Sequence, residues 1–541
     1  MDNGLSVRLT RLLKEFGEQG SNRTAGRPLG FYWTRKSANL ARLIIEEFSA
    51  ADSIVMDPFL GSGSSAMGAL EADGNRLFVG IELNEMPLES LNISLSTPKW
   101  HGPSEFQDAK RFLTKIEEMY VFDMGGNTYT LQKTIFDRTE KGIVPTTFHC
   151  SSSQGSSIFS KSEFFDGYTE FLALYNERVS NLPKRKDIRF LENSRIAIKD
   201  GLKASDLFGP LNFEALSQSR TMAEKNGYIR MALTTGLHLC KFTDAKSQSQ
   251  FPFWYPKKDI HEKSAGSVLI NKLQEIHDHL SEPSLYVDTY CIGSYQEWVS
   301  SQRKTFLVSQ GNSMEPLTEF VPKNSVDLVV TDPPYFDQVA YSEYLKLWEF
   351  FTGHKSDLDA ELVQTNRKNA CKNRETFLAG IELAFIQVAN VLKEEGLVVV
   401  YFKDSKPKNL HDFISALGRA QLTYICQRHL PRPGFTYKQN STKEGTVSGD
   451  ALLIFQKQSK IRFREPVVTT EMKSLDVQFL ELFGGYIDSH GPSSLTQVLD
   501  DSLVENLYPT GYLGEIKSGT YFNDLLSLTF RYDSTTRTWS R

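Results

Sequence analysis

Two short stretches carry the residue types that could do chemistry in this chain, and each directly follows an apolar run. The first is Asp57-Pro58-Phe59-Leu60-Gly61-Ser62-Gly63, and the second is Asp332-Pro333-Pro334-Tyr335. Glycine lets the backbone turn tightly and lie against a ligand, so the first stretch predicts a strand-to-helix turn that binds a nucleotide-like molecule. The second places a carboxylate, two carbonyls on rigid proline rings and an aromatic ring at a strand end.

The glycine turn also has an acidic residue at the expected distance. Gly61-x-Gly63-x-x-Ala66 fits the dinucleotide-type pattern, and Glu82 follows Gly63 by nineteen residues. A carboxylate at the end of the second strand accepts hydrogen bonds from ribose hydroxyls. A tight turn without any ligand also uses glycine, so this pattern alone leaves both interpretations open. The acid at Asp57 argues against a dinucleotide oxidoreductase, because such enzymes usually run from strand to turn without one.

Taken together, the two motifs resemble the S-adenosylmethionine-dependent amino-methyltransferases of nucleic acids, which methylate adenine N6 or cytosine N4. The resemblance covers about residues 27–90 and 300–457. The order of the motifs, with the cofactor motif first and a long segment before the catalytic motif, resembles the α-type arrangement. It implies S-adenosylmethionine as the cofactor and DNA as the partner.

The resemblance also implies roles around the second motif. An exocyclic amine is a poor nucleophile, because its lone pair is delocalised into the base. The carboxylate of Asp332 and the carbonyl of Pro333 are expected to accept its two N–H groups and free that lone pair. Pro334 helps to fix these acceptors, Tyr335 offers a face on which an extruded base stacks, and Phe336 is expected to close over the base.

Cofactor contacts are expected along the first motif and on segments beside it. The expected residues are Lys36, Asp57, Pro58, Phe59, Gly61, Gly63, Glu82, Asn312 and Asp332. Within the resemblance, Asp57 corresponds to the residue that engages the methionine ammonium. Asn312, in Gln310-Gly311-Asn312-Ser313, stands where the family usually has an acid near the cofactor adenine. The segment that begins at Thr34 resembles the extra segment that lines the methionine pocket.

The alternation of strand-like and helix-like apolar runs along the chain predicts an α/β fold. Residues 53–82 form a βαβ unit, which implies a parallel sheet with a right-handed crossover. We expect a doubly wound, mostly parallel seven-stranded sheet of the Rossmann-like methyltransferase kind, with a large, mainly helical insertion and a small C-terminal module. The expected divisions are 1–85 (cofactor motif), 86–300 (insertion, a candidate for target recognition), 301–465 (catalytic part) and 466–541 (α/β module, winged-helix-like).

Composition excludes several other classes of protein. The chain has 541 residues, 40% hydrophobic and 23% charged, with no apolar run near the ~18 residues that span a membrane. Its start lacks a secretory pattern, so we expect a cytoplasmic location without membrane contact. Five scattered cysteines lack metal-ligand spacing, so no metal site is expected.

The net charge of −5 does not exclude DNA, because binding depends on local clusters of basic residues. Local candidates are residues 184–186, 428–432 and 460–464, although each could equally be a solvated surface run.

The sequence therefore predicts a DNA methyltransferase that acts on adenine N6, in restriction-modification or phage defence and with subunits of such a system as partners. The aspartate at position 332 favours adenine, since serine is commoner there in cytosine-N4 enzymes. Alternatives that stay open are an N4-cytosine DNA methyltransferase, an RNA base methyltransferase and a catalytically silent nucleic-acid-binding subunit with this fold.

Overall fold

A mixed eight-stranded sheet forms the centre of the protein in this computed structural model. The structure describes residues 3–19, 32–33, 35–95, 102–140, 142–161, 167–245, 251–281, 290–291, 295, 305–336, 339–368, 371–431 and 450–541. In chain order the strands are β1 (Ser53–Asp57), β2 (Arg76–Glu82), β3 (Val121–Met124), β4 (Asn127–Thr139), β5 (Gly142–Ser152), β6 (Gly155–Ser160), β7 (Ile260–Lys263), β8 (Tyr290–Cys291), β9 (Thr305–Gln310), β10 (Val326–Thr331), β11 (Leu392–Phe402), β12 (Leu422–His429), β13 (Ala451–Lys457), β14 (Arg531–Asp533) and β15 (Thr538–Ser540).

Helices cover both faces of this sheet and make up much of the rest of the described chain. They are α1 (Asn3–Gln19), α2 (Ala38–Phe48), α3 (Ser64–Glu71), α4 (Glu85–Leu95), α5 (Pro103–Glu118), α6 (Gly167–Ser180), α7 (Pro210–Ala223), α8 (Gly227–Cys240), α9 (Ala265–Ser281), α10 (Tyr341–Thr352), α11 (Arg374–Val391), α12 (Pro407–Arg419), α13 (Met472–His490), α14 (Leu495–Val498), α15 (Val504–Leu507), α16 (Tyr512–Glu515) and α17 (Tyr521–Leu526). None of the helices in the described ranges is both long and apolar enough to cross a membrane.

The order of the strands creates a crevice at the centre of the sheet. The order is β12-β13-β11-β10-β1-β2-β9-β8, and β13 alone in this sheet pairs antiparallel to its neighbours. From β1 the chain moves to β2 on one side and returns later to β10 on the other, so the strand order reverses between β1 and β10. Ligands of open α/β sheets bind outside the carboxyl ends of the strands at such a switch point. The predicted doubly wound, mostly parallel sheet is confirmed, and the two-residue β8 adds an eighth strand at its edge.

Local sequence explains how the first helices are placed against this sheet. Strand β1 is almost entirely buried, as a central parallel strand must be. Ser37 caps α2 as predicted, since its hydroxyl accepts the Leu40 N–H at 3.3 Å. Helix α2 lies so close to α3 that a Cβ at Gly68 would stand 2.7 Å from the backbone nitrogen of Arg42. This close packing fixes the segment that leads into α2 above the end of β1.

The insertion between α4 and β9 contains a sheet that the sequence analysis did not predict. Helices α5–α9 agree with the helical pieces expected, but β3–β7 form a separate five-stranded antiparallel sheet. The serine-rich stretch at 151–157 forms a hairpin in which Ser152 pairs with Gly155. Serine has weak strand propensity, so its cross-strand neighbours rather than its own preference decide this conformation.

The insertion packs directly on the helix that follows the catalytic motif. Helix α10 shares one buried core with α7 and α8, and the indole N–H of Trp348 donates to the carbonyl of Thr234 at 3.1 Å. Asn193 of the insertion donates to Glu343 of α10 at 2.9 Å. The insertion is therefore joined to the active-site side of the sheet through buried contacts.

Residues 466–541 form a mostly helical module, with a small hairpin of β14 and β15, that shares a core with the main sheet. Arg428 at the end of β12 donates to Ser6 and Thr10 of α1 at 2.7 and 3.0 Å and pairs with Asp501 at 3.0 Å. The basic segment that includes Arg428 thus holds structural elements together. The winged-helix interpretation of the module stays a prediction.

Candidate active site

Both sequence motifs line a single cleft at the carboxyl edge of the sheet, over the switch point. The cleft has a volume of about 1090 Å³. The predicted residues that line it are Lys36, Asp57, Pro58, Phe59, Gly61, Glu82, Asn312, Asp332, Pro333, Pro334 and Tyr335. Stretches separated by some 270 positions therefore form opposite walls of one cavity.

The two glycines of the first motif have different physical roles. Gly61 (φ 52°) lines the cleft, and its N–H donates to Glu82 at 2.8 Å. Gly63 (φ 81°) precedes α3 and lies against α4, where an added Cβ would stand 2.6 Å from Leu91. Both glycines occupy the left-handed region, which other residues rarely adopt. In this geometry Gly61 borders the ligand space, and Gly63 permits the close packing of two helices.

Asp57 connects the two motifs physically. One carboxylate oxygen accepts the Phe59 N–H at 3.0 Å and the Thr331 hydroxyl at 2.7 Å, and the other accepts the Ser65 hydroxyl at 2.5 Å. Burial raises the pKa of Asp57 to about 6, although these hydrogen bonds oppose the shift. The carboxyl group therefore fixes the turn against the end of β10. Its predicted role toward the methionine ammonium stays a prediction.

Glu82 stands at the end of β2, with its carboxyl group between the glycine turn and the next loop. It accepts N–H groups from Gly61 at 2.8 Å and from Asn84 at 3.0 Å. Burial raises the pKa of Glu82 to about 7. A carboxyl group held in this way has its position fixed before any ligand arrives.

The segment after β9 closes the same end of the cleft. The Gly311 N–H donates to the carbonyl of Glu82 at 2.9 Å, and the hydroxyl of Ser313 donates to the carbonyl of Pro58. Asn312 accepts the Met314 N–H at 3.0 Å and lines the cleft as predicted. Ser313 is an additional lining residue that the sequence analysis quoted but did not assign.

The catalytic motif is organised around the carboxylate of Asp332. The hydroxyl of Tyr335 donates to this carboxylate, and the ammonium of Lys36 lies 3.5 Å from it. Burial raises the pKa of Asp332, and the Lys36 ammonium partly offsets that rise. Lys36 was predicted as a cofactor contact, and the structure places its charge beside the predicted catalytic acid.

Lys36 also lies near a second carboxylate and two aromatic rings. Its ammonium is 3.3 Å from Asp450 and 5.6 Å from the ring centres of both Tyr335 and Tyr401. Asp450 in turn pairs with Lys403 at 3.2 Å. The tyrosine ring expected to stack on a base is 9% exposed in this arrangement, with the ammonium over its face. A base that stacks on Tyr335 must displace or share the position of Lys36.

Phe336 is the predicted site residue whose placement differs most from the expectation. It is 1% exposed, packs on Phe377 with ring centres 5.0 Å apart and lies under the guanidinium of Arg374. Tyr335 lines the cleft, whereas Phe336 belongs to the buried core beside α11. We therefore do not count Phe336 among the residues that close over a base.

Several lining residues were not assigned from the sequence, among them Tyr32, Tyr341, Glu361 and Tyr401. Tyr32 and Tyr341 stack with ring centres 5.2 Å apart, and Glu361 and Tyr401 are buried in the walls. Burial raises the pKa of Glu361 to about 8. Each is a common residue type outside a motif, and only the fold brings them together, so no sequence signal could have selected them.

The hydrogen-bond donors and acceptors that line the cleft fit a nucleoside with a charged amino-acid tail. Glu82 and Asn312 lie at one end of the cleft, and Lys36 and Asp332 lie at the other. The hydroxyl of Tyr401, whose ring lies near the Lys36 ammonium, and one Glu361 oxygen are buried polar atoms with no hydrogen-bond partner within the described ranges. Apolar walls from Ile81 and Leu83 suit a purine. S-adenosylmethionine has this combination of an apolar base, hydroxyls and a zwitterionic tail.

Among groups of His, Cys, Asp and Glu, the described residues form no cluster of three or more that could hold a metal ion. Of the two remaining basic segments, residues 184–186 include Arg185, whose guanidinium pairs with the buried Glu214. This contact supports the structural interpretation of that residue.

Comparison with known proteins supports the resemblance carried by the motifs. Residues 9–93 match the family model described as DNA methylase, of the N6/N4 methyltransferase kind. This match includes the whole first motif and Glu82, and it confirms the resemblance to the amino-methyltransferases. A search of curated proteins finds no match.

Solved structures also align with the chain, at low similarity. The rRNA methyltransferase AviRa from Streptomyces viridochromogenes aligns over 80% of this chain and 88% of its own, with 9% identity and a TM-score of 0.25. A Thermus thermophilus protein provisionally assigned as a DNA modification methylase aligns over 32% of this chain, with 20% identity and a TM-score of 0.16. The chain covers 61% of that second protein. We draw nothing further from either alignment.

Proposed function

We propose that this relative of the N6/N4 DNA methylases transfers a methyl group from S-adenosylmethionine to the N6 amine of adenine in DNA. The observation that carries the proposal is the single cleft in which the Asp57–Gly63 turn faces the Asp332–Tyr335 segment. Methyl transfer requires two bound reactants in line, and positioning of this kind can supply ~7 to 11 kcal/mol of barrier reduction.

The residues at the second motif suit an amine as the acceptor of the methyl group. When bound, the cofactor supplies an electrophilic sulfonium methyl. The Asp332 carboxylate and the Pro333 carbonyl accept the two amine N–H groups, which frees the nitrogen lone pair to form the new N–C bond as the C–S bond breaks. The nitrogen would then release its extra proton to the Asp332 carboxylate or to water, and S-adenosylhomocysteine would leave as the neutral thioether. No covalent enzyme intermediate is needed, and the buried hydroxyl of Tyr335 holds the carboxylate in place beforehand.

Adenine is favoured over cytosine by the aspartate at position 332, and DNA is favoured over RNA by the matched family. The base must leave the helix to reach a cleft at the sheet edge, at a cost of a few kcal/mol for unstacking. The insertion packed on α10 is the proposed reader of the target sequence. We further propose a cytoplasmic role in restriction-modification or phage defence, with other subunits of such a system as partners.

The test is incubation of purified protein with labelled S-adenosylmethionine and separate DNA and RNA pools, followed by digestion to nucleosides and mass spectrometry. The proposal expects N6-methyladenine from DNA. N4-methylcytosine or labelled RNA would instead support one of the alternative methyltransferases. Cofactor binding without any transfer would support a silent nucleic-acid-binding subunit.

Two variants separate chemistry from cofactor binding. Asp332→Ala should abolish transfer with cofactor affinity largely retained, because the carboxylate acts on the amine. Asp57→Ala should weaken cofactor binding, because it releases Phe59, Ser65 and Thr331 from the turn. Calorimetric titration with S-adenosylhomocysteine measures both affinities, and an equal loss in the two variants would contradict this division of roles.

A further inference from the structure

Glu361 is a buried acid in the wall of the cleft with half of its carboxyl group uncommitted. The side chain is 6% exposed and lines the cavity. Oε1 accepts the Ser342 N–H at 3.0 Å, near the start of α10, and the backbone N–H of Tyr341 also lowers the pKa of this carboxyl group. Oε2 is buried and makes no direct hydrogen bond within the described ranges. A buried carboxyl oxygen without a partner is costly, and such atoms are rare unless they bind something else.

Glu361 is connected to the predicted ribose site by a chain of hydrogen bonds. Glu82 accepts the Asn84 N–H at 3.0 Å, and the Asn84 side-chain oxygen accepts the Ser342 hydroxyl at 3.2 Å. The Ser342 N–H then reaches Glu361. Glu82 and Glu361 therefore lie on adjoining walls at the same end of the cleft, and hydrogen bonds through Asn84 and Ser342 connect them.

Tyr32 provides a second indication that the two carboxyl groups face a common space. Its ring stacks on Tyr341 and would stand 3.3 Å from a Cβ added to Gly61. The charges of both Glu82 and Glu361 act on its phenol group and contribute to raising the pKa of Tyr32, after the larger effect of burial. Tyr341 and Asp332 act on the same phenol, so it lies among the acidic groups that line the cleft.

We propose that Glu361 is a second hydroxyl-binding residue for the cofactor ribose, acting beside Glu82 at the same end of the cleft. The inference rests on the proposed function, which supplies the nucleoside. A ribose presents two vicinal hydroxyls, and both oxygens of Glu82 already accept backbone N–H groups, so a second carboxyl group supplies a further acceptor. Oε1 holds α10, so a ribose hydroxyl donates to Oε2. Cofactor binding is thereby linked to the position of the helix after the catalytic motif.

The test compares binding of S-adenosylhomocysteine with binding of its 2′-deoxy and 3′-deoxy analogues by calorimetric titration. Glu361→Gln keeps an oxygen for the Ser342 N–H but puts an amide NH₂ group, which cannot accept a hydrogen bond, in place of Oε2. We expect about tenfold weaker binding of S-adenosylhomocysteine, and no such loss for the one analogue that lacks the contacted hydroxyl. Glu349→Gln, on the outer part of α10 beside Lys346, is the matched control and should bind as the wild type does.

The results distinguish a wrong assignment of Glu361 from a wrong proposed function. If the wild type binds S-adenosylhomocysteine and Glu361→Gln binds all three ligands equally well, or loses affinity equally for all three, the inference about Glu361 is refuted and the proposed function stands. If the wild type binds none of them, the proposed function fails and this inference fails with it. Should Glu361→Gln not fold, Glu361→Asp serves instead, because its shorter side chain cannot reach both partners.

Discussion

Replacement of Lys36 by methionine should shift the acid limb of methyl transfer toward higher pH. The reason is the 3.5 Å separation between the Lys36 ammonium and the Asp332 carboxylate. Asp332 must be deprotonated to accept an amine N–H, and burial already raises its pKa. Loss of the neighbouring positive charge removes the group that opposes this rise, so the carboxyl group stays protonated to a higher pH.

The size of the shift follows from distance and exposure. At 3.5 Å and an effective dielectric constant of about 20, the attraction is at most about 5 kcal/mol. Solvent reaches both side chains, which are 12% and 24% exposed, and Asp450 shares the ammonium, so we discount the effect to about 1 to 2 kcal/mol. This corresponds to roughly one pKa unit. At a pH well above the shifted limb, Lys36→Met should regain most of its single-turnover rate.

The assay is the single-turnover rate of methyl transfer from pH 5 to pH 9, with saturating cofactor. Asp450→Asn should move the limb in the opposite direction, because the Asp450 charge raises the pKa of Asp332. Lys403→Met, which removes a charge that pairs with Asp450, is the control for a general loss of positive charge. An unchanged limb in Lys36→Met, together with weaker cofactor binding, would refute this reasoning and return Lys36 to the cofactor role predicted from the sequence.

Three further predictions concern stability. Gly63→Ala should lower the free energy of unfolding by about 2 to 4 kcal/mol in urea titrations, because it adds backbone strain in a left-handed conformation and a clash with Leu91. Gly125 also has a left-handed backbone (φ 58°) but open space around it, so Gly125→Ala should show the backbone strain alone. Glu361→Gln should gain thermal stability relative to the wild type as pH rises from 5 to 8. The reason is that the folded wild type keeps a proton on Glu361 up to about pH 8, whereas the unfolded chain releases it near pH 4.5. An equal difference in stability at pH 5 and at pH 8 would contradict this. Arg428→Ala should expose α1 to proteolysis at lower urea concentrations, with a loss of about 1 to 3 kcal/mol, and unchanged cleavage would show that its hydrogen bonds to α1 contribute nothing.

The sequence was most informative where local rules decide the structure. The apolar runs of β1 and β10, the serine cap of α2 and the glycine turn follow from short-range preferences, and the structure has each of them. It was least informative where long-range pairing decides. The second sheet within the insertion depends on the pairing of β4 with the distant β7, and no local sequence pattern predicts that pairing.

The same distinction applies to the candidate site. Motif residues such as Asp57, Gly61 and Asp332 could be selected because several chemically informative residues stand together in the sequence. Glu361 could not be selected, because it is a single acid in a loop after α10, and only the fold brings it to Ser342 and to the wall shared with Glu82. Phe336 shows the opposite error, because it directly follows Tyr335 in the sequence but packs into the core against Phe377.

The position of α10 connects the proposed cofactor site with the proposed reader of DNA. One end of this helix is held by Glu361, whose other oxygen we assign to the cofactor ribose, and its apolar face is buried against α7 and α8 of the insertion. Its Trp348 also donates to Thr234 of the insertion. Because packed interfaces move as units, a change at Ser342 on cofactor binding is transmitted to the proposed reader of DNA rather than absorbed locally. If so, cofactor and DNA affinities are coupled, and Glu361→Gln should reduce that coupling without touching any DNA contact.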